Sequence, residues 1–147
     1  MGDYYKHDNL PWLKDRTILL VKAGSHAYGT NTPTSDLDIR GVAVPTKEYL
    51  IGYFKKFEQA ITTGDLDITI FALHKWLTLA TDCNPNVVEL VFTDPQDWIR
   101  MEPAGQLLVD HRELFLTRKV KYTFGNYARA QLRRLRTHAG RWENGAP

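Results

Sequence analysis

The sequence has one cysteine, Cys83, and no run of the ~18–20 apolar residues that a membrane-spanning helix requires. A single cysteine cannot form an intrachain disulfide, and no Cys/His cluster with the spacing of zinc ligands accompanies it. The N-terminal residues are polar and of mixed charge, which is not the pattern of a secretory signal peptide. We therefore expect a protein of the reducing cytoplasm with no membrane partner.

Internal repeats and low-complexity segments are also absent, which excludes solenoid and disordered architectures. The 147 residues are 43% hydrophobic, which is enough for one domain with a genuine core. Acidic charge is scarce after residue 117: residues 118–147 hold eight Lys and Arg but only one acidic residue, Glu143. We therefore divide the chain into a main domain, residues 1–117, and a basic helical segment, residues 118–147.

Hydrophobic periodicity predicts a mixture of strands and helices. Short apolar or alternating stretches predict strands over residues 17–23, 36–44, 53–61 and 65–71. Apolar residues at i, i+3, i+4 and i+7, together with proline and cap signals, predict helices over residues 46–50, 73–81, 85–92, 106–115 and 118–136. The expected fold is α/β (α+β), a small mixed β-sheet with helices packed on one face.

Two acidic residues, Asp36 and Asp38, lie two positions apart on a predicted strand. The period of two places both carboxylates on one face of the strand, where they would repel by about 4 kcal/mol at ~4 Å separation and an effective dielectric near 20. A bound cation relieves this repulsion, and oxygen ligands favour Mg²⁺ or Mn²⁺. A solvated strand edge is the alternative reading of the pair.

Other residues near this pair favour the metal-site reading. Gly24 and Ser25 follow a predicted buried strand, where a glycine admits close backbone approach and a serine offers its amide and hydroxyl to phosphate. Asp67, flanked by apolar residues on another strand, supplies a third carboxylate if the strands pair, with Asp65 as its rival. A phosphate cradle with three carboxylates is what a two-metal phosphoryl-transfer site requires. Arg40 follows on the same face and suits either a phosphate contact or a structural ion pair.

These motifs resemble the DNA polymerase β-type nucleotidyltransferase superfamily. The stretches GSHAYGTNTPTSDLDIRGVAVP and DITIFALHKWLTLATDCNPNVVELVF resemble a narrower branch, the predicted nucleotidyltransferases associated with RNA repair in bacteria and phages. The resemblance covers residues 21–92 and extends more loosely to FGNYARAQLRRLR at residues 124–136. Members usually continue into a longer helical region, and this sequence departs from that pattern by ending at Pro147.

The resemblance implies a role for each motif residue. Asp36 and Asp38 would bind metal, while Asp67 would bind the catalytic metal and help to activate the attacking hydroxyl. Gly24 and Ser25 would hold the β- and γ-phosphates. The reaction would be attack on the α-phosphate of an NTP such as ATP, with two Mg²⁺ or Mn²⁺ ions and release of pyrophosphate.

The basic segment offers an anionic partner a surface, because Arg129, Arg133 and Arg136 fall on one helical face. We expect a contact with nucleic acid or with the triphosphate there, and a merely solvated face is the alternative. The acceptor of the transferred NMP is left open among a nucleic-acid end, a protein and a small molecule, and the association of the resembled branch with RNA repair favours an RNA end. A catalytically inactive nucleotide- or nucleic-acid-binding module is the alternative function, and an oligomer or a partner protein is compatible with both.

Overall fold

The computed structural model describes residues 4–5, 7, 9–63 and 66–143, the last seven by their backbone alone. Strands in this part of the chain form one five-stranded sheet: β1 Thr17–Ala23, β2 Leu37–Ala43, β3 Gln59–Thr62, β4 Leu66–Ala72 and β5 Trp98–Met101. The α-helices are α1 Leu13–Arg16, α2 Gly24–Ala27, α3 Lys47–Leu50, α4 Leu73–Thr81, α5 Pro85–Val88, α6 Pro103–Asp110 and α7 Val120–Glu143. Short 3₁₀ helices cover Glu89–Phe92, Pro95–Asp97 and Arg112–Phe115.

The sheet is mixed, with the strand order β3-β4-β2-β1-β5. Strand β2 pairs in parallel with β4, and the other neighbouring pairs are antiparallel. The chain leaves β2, forms the outer strand β3, and returns through a hairpin as β4, which lies between them. This route brings the first residues of β2 and β4 to the same end of the sheet, where the loop after β1 also begins.

Each sheet face contributes to a separate hydrophobic cluster because side chains alternate along the strands. Leu19, Val21 and Val42 face the cluster formed with α4, α5, α6 and the 3₁₀ turns, in which Trp76 is fully buried. Leu20 and Ile39 face the opposite cluster, which the N-terminal segment and Phe57 cover. The predicted architecture, a mixed sheet with its main helices on one face, is therefore confirmed.

Local signals positioned several elements correctly. Strand β1 and helix α4 have the predicted bounds. Asn84 caps α5 by accepting a hydrogen bond of 3.1 Å from the amide of Asn86, and Pro85 occupies the first turn, as its fixed φ favours. Thr46 occupies the predicted cap position of α3, but its hydroxyl makes no capping bond and is buried without a partner among the described residues.

Other predictions were wrong in extent. The strand predicted over residues 53–61 exists only as β3, and Tyr53 and Phe54 before it are 88% and 93% exposed. The helix predicted over residues 106–115 begins at Pro103 and changes to a 3₁₀ turn at Arg112. Leu77, which its spacing from Leu73 predicts to be core, is 36% exposed. Strand β5 and helix α1 were not predicted.

The longest helix, α7, lies within the predicted basic segment. The sequence predicts an apolar face on this helix that uses Phe124, Tyr127, Ala128, Leu132 and Leu135. These residues form no buried seam in the described part: Tyr127, Leu132 and Leu135 are all exposed, and Phe124 borders a cavity. The division of the chain at residue 117 therefore stays a prediction. No helix in the described ranges is long and apolar enough to cross a membrane.

Candidate active site

Asp38 and Asp67 are directly paired residues on the neighbouring parallel strands β2 and β4. Neighbouring strands lie ~4.8 Å apart, so the two side chains leave the sheet side by side. The next residues, Ile39 and Ile68, are buried in the cluster on the opposite face. Alternation therefore places both carboxylates on the face that carries the main helices, at an end of the strands where they remain partly or fully exposed.

A cavity of about 200 Å³ lies over these two carboxylates. Its lining includes three threonines: Thr62 at the end of β3, Thr63 directly after it, and Thr69 in β4. Carboxylate and hydroxyl oxygens thus dominate the polar lining, which is the donor chemistry that hard divalent cations prefer.

Gly24 lies against the side chain of Asp38. Its neighbour Ala23, the last residue of β1, is the pairing partner of Asp38 across the antiparallel ladder. Gly24 has a φ of +62°, and a methyl group on its α-carbon would collide with the Asp38 carboxylate. A residue without a side chain is therefore required here for two reasons, the left-handed backbone and the close approach of Asp38.

Ser25 is the second residue of the single turn α2, which opens the loop between β1 and the acidic pair. The loop closes on itself through the amide of Thr32, which donates to Ser35 Oγ at 2.8 Å. His26 Nε2 lies 3.4 Å from the carbonyl oxygen of Ser35, so the structure gives this histidine a loop-bracing contact. Asp36 is exposed and lies one residue before β2 begins.

The structure brings two of the three predicted carboxylates together, Asp38 and Asp67. No three His, Cys, Asp or Glu side chains in the described part of the chain converge as a metal-binding group. The assignment of Asp36 as a ligand therefore stays a prediction. Asp65, the rival for the third position, lies outside the described residues.

Arg40 lines the small cavity with the carboxylate pair, and its guanidinium also contacts α5 and the 3₁₀ turn after it. Its Nη1 donates to the carbonyl oxygen of Asn86 at 3.0 Å and lies 3.6 Å from Glu89 Oε1. Of the two readings of Arg40, the structure shows the ion pair. These two contacts tie β2 to α5 and to the 3₁₀ helix that follows it.

Tyr28 also contacts Glu89, the partner of Arg40: its hydroxyl donates a hydrogen bond to Glu89 Oε2. Burial of the hydroxyl end raises the pKa of Tyr28 above its ordinary value, and the hydrogen bond to Glu89 and the charge of Glu89 raise it further. The phenol therefore stays protonated at neutral pH. The loop after β1 and the segment after α5 are held together through one carboxylate.

A second and larger cavity, of about 470 Å³, is lined in part by Glu89, the ion-pair partner of Arg40. Its lining is mainly apolar and comes from the loop after β1, the segment after α5, and α7: Ala23, Ala27, Tyr28, Val88, Glu89, Phe92, Thr93, Asp94, Leu116 and Phe124. The roles of Tyr28 and Glu89 were not assigned from sequence, although both lie in the stretches that carry the family resemblance.

The basic residues predicted to meet an anion are all exposed on α7. Arg129 and Arg136 are solvent-facing, and Arg133 also takes part in an interaction of its own. Helix α7 contacts α5, the helix that directly precedes Glu89.

Comparison with known proteins identifies the relatives of this chain. It is 28% identical over 127 residues to an uncharacterized 38.9 kDa protein in the nrdC-mobD intergenic region of Enterobacteria phage T4, a match covering 79% of this chain and 38% of the phage protein. It is 28% identical over 123 residues to the uncharacterized protein YcgL of Bacillus subtilis (strain 168), covering 80% of this chain and 46% of YcgL. The chain thus spans less than half the length of these relatives.

No solved structure matches the chain significantly. The model of one family, RlaP, described as the RNA repair pathway DNA polymerase beta family, matches residues 6–143. That match covers nearly the whole sequence and includes the glycine-serine loop, the acidic strand pair and the basic helix. The chain therefore belongs to the RNA repair pathway DNA polymerase beta family.

Proposed function

We propose that the chain transfers a nucleoside monophosphate from an NTP to a hydroxyl acceptor, with pyrophosphate as the leaving group. The observation that carries this proposal is the pairing of Asp38 with Asp67 on parallel strands, with Gly24 packed against Asp38. Membership of the family supports the coarser assignment, a DNA polymerase beta-like nucleotidyltransferase.

The residues at this site fit a divalent cation. Two adjacent carboxylates repel each other unless a positive charge lies between them, and their polar neighbours in this cavity are threonine hydroxyls and the Arg40 guanidinium, which Glu89 already pairs. Asp38 and Asp67, with Asp36 two residues before Asp38, would hold two Mg²⁺ or Mn²⁺ ions. Bound there, the ions would supply stabilisation of the negative charge that develops on the transferred phosphoryl group.

The protein's own groups then position the two substrates. Gly24 admits the triphosphate close to Asp38 because it has no side chain, and Ser25 holds the β- and γ-phosphates through its amide and hydroxyl. A carboxylate oxygen of Asp67 accepts the proton of the attacking hydroxyl. The oxygen of the acceptor hydroxyl forms a bond to the α-phosphorus. The bond between the α-phosphorus and the oxygen that bridges to the β-phosphate breaks, and pyrophosphate leaves with that oxygen.

An RNA end is the acceptor we favour, because the family is described by an RNA repair pathway. The exposed arginines of α7 support this choice, since phosphate contacts from Arg supply most of the sequence-independent affinity for nucleic acid. Transfer to an RNA end would also explain why a basic helix is attached to the segment beside the site.

The test is transfer of α-labelled NTP to an RNA oligonucleotide in Mg²⁺, with free and blocked ends compared. We expect a product heavier by one nucleoside monophosphate, one pyrophosphate per transfer, and at least 100-fold slower transfer by Asp38→Asn. Asp82→Asn is the control, because Asp82 is an exposed carboxylate that pairs with Lys119 instead. Transfer that is unchanged in Asp38→Asn, or release of γ-phosphate instead of pyrophosphate, contradicts the proposal.

A binding module without turnover is the second candidate. It is favoured by one observation, that the described residues gather two rather than three metal-binding side chains. A binding module would bind NTP in the presence of metal but would release no pyrophosphate with any acceptor. The same assay distinguishes the two functions.

A further inference from the structure

We infer that the larger, apolar cavity receives the base of the nucleotide donor and favours bases that carry an exocyclic amino group. This inference rests on the proposed function, because it assigns the part of the NTP that lies away from the carboxylate pair. The cavity's volume of about 470 Å³ falls within the ~300–1,000 Å³ typical of small-molecule sites.

The two cavities are neighbours with a common wall. Arg40 lines the small cavity with Asp38 and Asp67, and its partner Glu89 lines the large one. Ala23 also lines the large cavity, and it pairs with Asp38 across the sheet. A ligand that reaches across this wall would place one end at the carboxylates and the other end in the apolar cavity.

Charge decides which end of an NTP the large cavity can accept. Its charged lining, among the described residues, consists of the carboxylates Glu89 and Asp94. Carboxylates repel a triphosphate, and an apolar lining does not compensate the cost of desolvating it. An uncharged flat group that donates hydrogen bonds fits both the polar and the apolar parts of this lining.

Aromatic side chains at the cavity suit such a flat group. Phe92 comes from the 3₁₀ turn after α5 and Phe124 from α7, and each is only partly exposed, at 39% and 37%. The Arg112 guanidinium lies 5.2 Å from the centre of the Phe92 ring and helps to hold that ring in place. Stacking of a base on an aromatic side chain typically contributes ~1–3 kcal/mol.

Glu89 gives the cavity its selectivity. Its carboxylate receives the Tyr28 hydroxyl and faces Arg40, yet two carboxylate oxygens offer about four acceptor positions in all. The remaining positions can accept from the amino group of adenine, guanine or cytosine. Uracil has no amino group, and its N3–H donor lies between two carbonyl oxygens that the negative charge of Glu89 would repel.

The experiment measures the affinity of the full chain for ATP, UTP, adenosine and inorganic tripolyphosphate by titration calorimetry in Mg²⁺. We compare the wild type with Phe124→Ala, with Glu89→Gln and with Phe54→Ala, whose 93% exposed ring does not line the cavity. We expect ATP to bind more tightly than UTP. Phe124→Ala should weaken ATP and adenosine about tenfold and leave tripolyphosphate unchanged, whereas Phe54→Ala should change none of them. Glu89→Gln should narrow the preference for ATP over UTP, because an amide donates as well as accepts.

The outcomes separate the cavity from the reaction. If ATP and tripolyphosphate bind but Phe124→Ala changes the affinity for neither, the base-pocket inference is contradicted, whereas the proposed nucleotidyl transfer is not. If adenosine binds and Phe124→Ala weakens that binding, but no transfer occurs with any acceptor, the base pocket is supported and the proposed nucleotidyl transfer is contradicted. If neither ATP nor adenosine binds to the wild type, both are overturned.

Discussion

Gly24 lies so close to the carboxylate of Asp38 that a methyl group on its α-carbon would overlap that carboxylate. The glycine also has a φ of +62°, which L side chains rarely adopt. Gly24→Ala should therefore displace Asp38 from its position beside Asp67 and lower the rate of nucleotidyl transfer by at least tenfold. Steady-state transfer rates together with thermal unfolding measure both effects.

Gly29 offers a matched control for this change. Its φ of +64° is nearly the same, but a methyl group there would meet no described atom within 4 Å. Gly29→Ala should cost only the backbone strain, about 1–2 kcal/mol, and leave the transfer rate nearly unchanged in the folded protein. Equal losses of activity in the two variants would show that the contact with Asp38 is irrelevant.

The paired carboxylates should destabilise the protein when no cation is present. Asp67→Asn removes one charge from the pair and should raise the free energy of unfolding in chelator by up to about 1 kcal/mol, because solvent screens these exposed groups. Added Mg²⁺ should stabilise the wild type but not the variant. Urea unfolding with and without Mg²⁺ measures this, and an equal Mg²⁺ response in both proteins would argue against the cation site.

Much of the central sheet could be predicted because its signals are local. Strand β1 and helix α4 show the spacing of apolar residues that each structure requires within a few residues. Strand β5 could not be predicted in the same way, since all four of its residues are half-buried and it is a strand because it pairs with β1. Tyr53 and Phe54 favour a strand by residue type, but they extend into solvent.

The same distinction applies to the candidate site. Gly24 and Asp38 could be assigned from the sequence because they belong to one motif of fifteen consecutive residues, 24–38. The pairing of Asp38 with Asp67 depends on the strand register, and the partnership of Arg40 with Glu89 depends on packing between distant segments. Such long-range relationships have no local pattern, so Glu89 and Tyr28 could be noticed in the sequence but not assigned.

Tyr28 should give the protein a distinct response to alkaline pH. Its pKa is raised in the folded state, so the unfolded chain loses the phenolic proton first, near its ordinary pKa of 10.0. The unfolded state then binds fewer protons, and stability falls as the pH rises above that value. We expect this fall to be steeper in the wild type than in Tyr28→Phe. Tyr53→Phe, at an 88% exposed position, is the control and should follow the wild type.

Below pH 9 the Tyr28 contribution is constant because the phenol is protonated in both states. Tyr28→Phe should then cost only the hydrogen bond to Glu89, less than about 1 kcal/mol at this exposed position. Chemical denaturation between pH 7 and pH 11 follows both effects. Parallel curves for the wild type and Tyr28→Phe over the whole range would contradict the role given to Glu89.

The basic face of α7 predicts a salt-dependent affinity for nucleic acid. Arg129→Glu with Arg136→Glu should weaken binding of single-stranded RNA, and the slope of log affinity against log salt should fall by about 0.7 for each lost phosphate contact. Lys47→Glu with Lys56→Glu makes the same charge change at exposed positions elsewhere. An unaltered salt slope in the α7 variant, or an equal change in both double variants, would mean that the helix is only a solvated face.

The most direct test of the active-site assignment is the stability of the protein with an NTP, measured with and without Mg²⁺. A ligand at 100 times its dissociation constant adds about 2.7 kcal/mol to the free energy of unfolding. We predict a gain of this order for the wild type in Mg²⁺, little or none in chelator, and none for the double variant Asp38→Asn/Asp67→Asn. Metal-dependent stabilisation of that double variant equal to the wild type would contradict the assignment of the site to this carboxylate pair.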